Sequence, residues 1–168
     1  MNSIASFDLP LKTMPCGTHQ FNWEIALDFF KEMECDDVLS ASVKVGLDLV
    51  RNDDIYHLSF KCNGVIGIPC DRCLEEMTHT VCAEYSVSVK YGDQWLEGDD
   101  ELTIPESCAK LNVAQMVVDT VLLTIPIAHS HENPSDCNQQ MLAYLTDSEP
   151  QSENDAIDPR WAALQDIK

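Results

Sequence analysis

Positive charge is scarce in this chain. Ten lysines and arginines stand against 29 aspartates and glutamates in 168 residues, a formal net charge of −19. Binding along a nucleic-acid backbone needs Lys and Arg to displace counterions. The composition therefore excludes a protein that coats RNA or DNA with its whole surface and leaves room only for a small local basic patch. An acidic surface keeps a protein soluble and favours basic proteins as partners. Long apolar runs are also lacking. The longest stretch, Val113 to Ala128, is broken by Gln115, Asp119 and Pro126, so it is too short and too polar to span a bilayer. The opening residues MNSIASFDLP hold neither a basic nor an apolar targeting region, so no signal peptide is expected and the expected location is the cytoplasm. No internal repeat is visible. Without an export signal, the eight cysteines are expected as free thiols or metal ligands in a reducing compartment.

Enough is present for one core. Hydrophobic residues make up 45% of the chain, which suits a single compact domain over residues 1–145. Residues 4–14 and 18–25 read as two strands, and residues 26–34 fit a short helix. From residue 42 the alternation is clear. Val43, Val45, Leu47 and Leu49 share one face of a half-buried strand. Asn52, Asp53 and Asp54 make the turn. Tyr56, Leu58, Phe60 and Cys62 line the next strand, and Ile66 and Ile68 continue it past an expected kink at Asn63-Gly64. Val81, Ala83, Tyr85, Val87 and Val89 line a third. The three form an antiparallel meander. Residues 92–110 read as an acidic loop. Asn112 is expected to cap a helix, with Gln115 as capping-box partner. That helix should stop before Pro126 and pack across the sheet as a buried element. Residues 138–145 read as a helical turn and residues 146–157 as an acidic flexible linker. Residues 158–168 read as a terminal helix with Asp158 as cap, Pro159 at the first position and an apolar stripe of Trp161, Leu164 and Ile167. The fold class is α+β: a mainly antiparallel sheet with long hairpins, one buried helix and a short C-terminal helix.

Strand parity sorts the cysteines. Cys62 falls on an inner face and reads as a core residue. Cys82 has the opposite parity to Val81 and Ala83, so the two thiols should not meet in one sheet. Cys16, Cys35 and Cys108 lie near turns or in the acidic loop and read as incidental. Cys70 and Cys73 remain, a CxxC pair at the tip between the second and third meander strands. Two intervening residues at a tight turn let both sulfurs reach one tetrahedral zinc ion at about 2.3 Å. A structural site needs four ligands, and the other segment rich in ligand types holds His129, His131 and Cys137. The candidate metal set is therefore Cys70, Cys73, His131 and Cys137, with His129 as substitute and zinc as the ion. Two other readings stay open: idle thiols at a turn, and a redox dithiol. The dithiol fits poorly, because such a pair opens a helix after a strand, whereas here the chain turns back into a strand. A zinc hydrolase would need an open coordination position and a base, for which Glu75, Glu76 and Glu132 are available.

Three segments in order, CDRC (70–73), LLTIPIAHSHENPSDC (122–137) and DPRWAAL (158–164), resemble the YceD family of large ribosomal RNA subunit accumulation proteins. The resemblance covers most of residues 4–168 and is sharpest at CDRCLE, IPIAHSH and DPRWAAL. It implies a bacterial or plastid factor needed for normal levels of large-subunit ribosomal RNA, with metal binding and nucleic-acid binding predicted for the family and no enzymatic activity established for it. The expectation for this chain is a non-enzymatic binding module. The matching residues are Cys70, Arg72, Cys73, His131 and Cys137. Many relatives carry further cysteines downstream; here one cysteine and histidines stand in that region, so any zinc would have mixed ligands. Arg51, Lys61, Arg72 and Lys90 are scattered among acids, which disfavours direct RNA contact. The expected partners are ribosomal proteins, assembly factors or pre-rRNA, the last disfavoured by charge, met through Arg72 at the exposed tip and through Arg160 and Trp161 of the terminal segment. The alternatives are a small zinc-binding, nucleic-acid-associated regulator and a thiol- or zinc-dependent enzyme using Cys70, Cys73 or His131.

Overall fold

Alternating apolar residues build the centre of the molecule. The computed structural model describes residues 4–147. In chain order the strands are β1 (Asp8–Leu9), β2 (Gly17–Ala26), β3 (Ser40–Asn52), β4 (Ile55–Pro69), β5 (Glu76–Gly92), β6 (Leu96–Glu97), β7 (Glu101–Pro105) and β8 (Leu111–Asn112). The helices are α1 (Leu27–Glu32), α2 (Ala114–Leu122) and α3 (Gln139–Asp147). The main sheet has the order β2-β3-β4-β5-β7-β6, and β1 pairs with β8 apart from it. This is an α+β fold with a mostly antiparallel sheet.

The meander keeps one register throughout. Leu47 stands opposite Phe60, and Phe60 opposite Tyr85. Parity puts Val43, Val45, Leu47 and Leu49 with Leu58, Phe60 and Cys62 in the core, all nearly inaccessible to water. The polar alternates cover the outer face. At Asn63-Gly64 the ladder continues without a bulge, so no kink interrupts pairing. Gly64 serves a close approach instead: a Cβ there would lie 2.6 Å from Val43 Cα, closer than any side chain can sit. β4 has 15 residues and spans roughly 50 Å at about 3.4 Å per residue. This length carries the CDRC tip far from the Asp53-Asp54 turn at the other end.

α2 closes the core from the inner face. Ala114, Val117, Val118 and Val121 are buried and the helix stops short of Pro126, as its sequence requires. The cap differs from expectation. Asn112 belongs to β8, and its Oδ1 accepts the N–H of Ala114 at 3.0 Å. Gln115 does not reach back; it donates along the helix to Asp119 Oδ1 at 2.8 Å. A one-turn pairing on the solvent face is open to it, and β8 pairing has already placed the Asn112 backbone.

The N-terminal segment corrects a second expectation. Residues 4–14 form single 3-10 turns at Ile4–Phe7 and Leu11–Thr13 around the two-residue β1. Phe7, Leu9 and Leu11 are buried, and Phe7 stacks on Trp23 with ring centroids 4.8 Å apart. Apolar residues two apart satisfy a strand pattern, yet here they anchor an irregular strap across the core. The strand through Trp23 and the helix after it both form.

Residues 92–110 give the third correction. They hold β6 and β7, and β7 lies parallel to β5, with Val89 opposite Leu102 and Tyr91 opposite Ile104. Leu102 and Ile104 are buried, so two apolar side chains two residues apart suffice to draw this acidic stretch into the sheet. The helical turn at 138–145 is α3, which runs two residues into the segment expected as linker. The rest of that linker and the terminal helix, with Arg160 and Trp161, lie outside the described residues. Among the described residues no helix is long and apolar enough to cross a membrane.

Candidate metal centre

A tight turn builds one half of the site. Pro69 pairs with Glu76 as the last rung between β4 and β5. Beyond that rung the Cys70 N–H donates to Glu75 O, and the Leu74 N–H to Cys70 O, both at 2.9 Å. To close the loop Leu74 takes a φ of 61°, a left-handed conformation that strains any residue with a Cβ. The turn tucks both thiols inward, with Cys70 0% and Cys73 2% exposed. Asp71 and Arg72 point outward.

The other half arrives after α2. The segment beyond Pro126 is clasped to the tip at two places. Asp71 N–H donates to His129 O at 2.9 Å, and His129 N–H donates to Asp71 Oδ2 at 2.6 Å. Nine residues further along the chain, Asn138 Nδ2 donates to Glu75 Oε1 at 2.9 Å. The Asn138 Oδ1 also accepts the Gln140 N–H at 3.0 Å, so one side chain caps α3 and binds the tip. Leu142 of α3 and Met77 of β5 pack against the buried thiols of Cys70, Cys73 and Cys137.

These clasps bring four ligand atoms together. The donors of Cys70, Cys73, His131 and Cys137 all lie within 4.8 Å of one another. His131 Nδ1 stands 3.6 Å from Cys73 Sγ and 3.5 Å from Cys137 Sγ. Zinc with bonds of about 2.3 Å to sulfur and about 2.0 Å to nitrogen has tetrahedral edges of about 3.8 Å between sulfurs and about 3.5 Å from sulfur to nitrogen. The two S–N separations match such edges. His129 lies outside the cluster. Its Nδ1 stands 3.1 Å from Pro126 O and its Nε2 3.6 Å from Asp71 Oδ1. The ring thus turns toward the clasp.

The thiols differ in proton affinity. Burial pushes the Cys70 thiol up, but the backbone N–H groups of Arg72, His131 and Cys73, with the Cys73 thiol, outweigh it and lower it to about 6. Burial pushes Cys137 up to about 11, helped by hydrogen bonds and charge from Cys73 and Cys70. A thiolate at Cys70 beside a proton-holding Cys137 is a donor set in which a bound cation would replace protons.

The remaining cysteines stand apart from the site. All eight are free. Cys62 is buried and pushed up to about 11 by that burial, while Cys82 is exposed, as its parity requires. The candidate bases near the tip are partly engaged: Glu75 accepts from Asn138, and Glu76 accepts from the Ser40 hydroxyl. Asp71 and Asn138 were not among the residues singled out by sequence, although they hold the two halves together. The signal available was weak: Asp in a tight turn and Asn before a helix both bond nearby backbone.

The sequence model of one protein family, described as large ribosomal RNA subunit accumulation protein YceD, matches residues 58–168. That range holds the tip, the loop and all four cluster residues. No curated protein and no solved structure gives a significant match to the chain.

Proposed function

Because the chain belongs to the family of large ribosomal RNA subunit accumulation proteins, we propose that it is a non-enzymatic binding factor in large-subunit ribosome assembly whose hairpin tip is held by a structural zinc ion. One observation carries the metal assignment: three buried cysteine thiols from the strand tip and the loop and one nitrogen of the half-buried His131 converge within 4.8 Å. Cys70, Cys73, His131 and Cys137 would hold the ion, and four protein ligands complete a tetrahedral shell with no position left for substrate water. Zinc in such a shell supplies a cross-link. Here it would join the β4–β5 tip to the loop before α3 and leave Arg72 displayed at the surface.

The partner class follows from charge. On the outer sheet face, Lys44 pairs with Glu24 at 3.9 Å, Lys61 with Glu84 at 3.7 Å and Lys90 with Glu101 at 2.7 Å. Each lysine is neutralised locally, so the face offers no basic stripe for a phosphate backbone. A net charge of −19 instead favours basic ribosomal proteins or the assembly factors around them. Affinity purification at moderate salt, with and without nuclease, tests this. Ribosomal proteins should persist after nuclease. Recovery of RNA after ribosomal proteins are stripped away would overturn the reading.

A further inference from the structure

The inner side of the sheet is not completely covered. Between α2 and the β5–β7 edge lies a cleft of about 170 Å³. Tyr85, Val87, Leu102 and Met116 are among the residues that line it, and Glu97 and Asp119 stand at its border. The volume matches one large side chain: an apolar cavity of about 150 Å³ takes up benzene. Leu123 also lines the cleft and is 86% exposed. Leu96, adjacent to Glu97 in β6, is 63% exposed. Apolar groups left in water beside an apolar cleft mark an interaction site.

The charge around the cleft is one-sided. Glu97, Asp100 and Asp119 all act on Tyr85, whose hydroxyl is raised first by burial and then by these carboxylates. Glu101 shares its charge with Lys90 at 2.7 Å. Glu97 and Asp119 have no cation within ion-pair distance among the described residues. Apolar surface ringed by uncompensated carboxylates selects a segment that brings its own cations. The chain's terminal segment does not qualify by charge, since residues 148–168 carry five acids and two bases.

We propose that the α2–β5–β7 cleft docks a lysine- or arginine-rich segment of a partner protein, which inserts one apolar side chain between Val87, Leu102 and Met116 and sets its cations against Glu97 and Asp119. The proposal rests on the reading of the chain as a binding factor for basic proteins and names where the contact is made. The cations steer encounter and the apolar anchor supplies much of the lifetime.

The test uses the full-length protein and a fluorescein-labelled lysine-rich peptide with one central leucine. The expected result is that changing the leucine to alanine weakens binding about tenfold. The double variant Glu97→Lys/Asp119→Lys should lose about tenfold as well. A control with the same charge change on the outer sheet face, Glu24→Lys/Glu84→Lys, should stay within about twofold of wild type. Peptide addition should also shift the methyl resonance of Met116 in the unmutated protein, a readout independent of variant folding. Equal losses in the two double variants, equal binding of the alanine peptide, or an unmoved Met116 methyl would each overturn the proposal. So would tighter peptide binding by Trp161→Ala, which would make the chain's own terminal segment the occupant. If ribosomal proteins bind wild type and Glu97→Lys/Asp119→Lys alike, the cleft is refuted while the assembly role stands. If the peptide binds at Met116 but no ribosomal protein does, the assembly role fails and the cleft stands.

Discussion

Substitution of Cys73 by serine removes one corner of the proposed tetrahedron with the smallest change in shape. A ligand that binds only the native state stabilises it by RT ln(1 + [L]/Kd), about 4 kcal/mol when free zinc is buffered at about 1,000 times its Kd. In a chain of 168 residues, each kcal/mol moves the melting midpoint by about 2–4 °C. Wild type should therefore melt roughly 8–16 °C higher in buffered zinc than in chelator. Cys73→Ser should show little of that difference, because three ligands of the cluster no longer close the shell. Comparing each protein with itself, plus and minus zinc, removes the separate effect of replacing a buried thiol. Elemental analysis of protein purified without chelator or affinity metal should find near-stoichiometric zinc in wild type and a loss in Cys73→Ser. His129→Ala should keep the zinc, since His129 lies outside the cluster and serves the Asp71 clasp. Absence of zinc from wild type, or an unchanged zinc-dependent shift in Cys73→Ser, would refute the reasoning.

Leu74→Gly should raise stability by about 0.5–1 kcal/mol in a denaturant titration. It relieves the φ of 61° at a side chain that is 67% exposed, partly offset by the greater freedom of glycine in the unfolded chain. In metal-free protein the joint contribution of the Cys70 and Cys137 thiols to stability should be greatest near pH 9. Cys70 lies below its ordinary 9.0 at about 6, so its contribution is present above pH 9 and is lost as pH falls toward 6. Cys137 lies above it at about 11, so its contribution is present below pH 9 and is lost as pH rises toward 11. Chelated samples unfolded across pH 5–11 measure both limbs, and a flat profile would contradict the described thiol environment. Arg72→Ala should leave the melting midpoint unchanged within about 1 °C, because the side chain is exposed, while reducing rescue of large-subunit rRNA levels. A large fall in stability would instead assign Arg72 a structural task.

Much of the architecture was legible in the sequence because it depends on local pattern. The period of two from Val43 to Val89 marked the meander strands and their inner faces, separated buried Cys62 from exposed Cys82, and put CDRC at a hairpin tip. Pro126 limited α2. These features follow from which side of the backbone each residue occupies, and parity is written in the chain itself.

Pairing partners are a different matter. Alternation says that a face is buried, but not what covers it. Phe7, Leu9 and Leu11 therefore read as a strand, although they anchor an irregular strap packed on Trp23 and α1. Leu102 and Ile104 sat in a stretch too acidic to read as sheet, and only the nonlocal parallel contact with Val89 and Tyr91 makes them a strand. The metal set shows the same division. Residue types nominated Cys70, Cys73, His131 and Cys137 and left His129 interchangeable with His131. The Asp71 clasp binds the His129 backbone on both sides, and it is His131 Nδ1 that lies beside two thiols. Sequence spacing records which ligands exist. Which of them share one ion-sized space is set by hydrogen bonds between segments 58 positions apart, and that distance closes only in the folded chain.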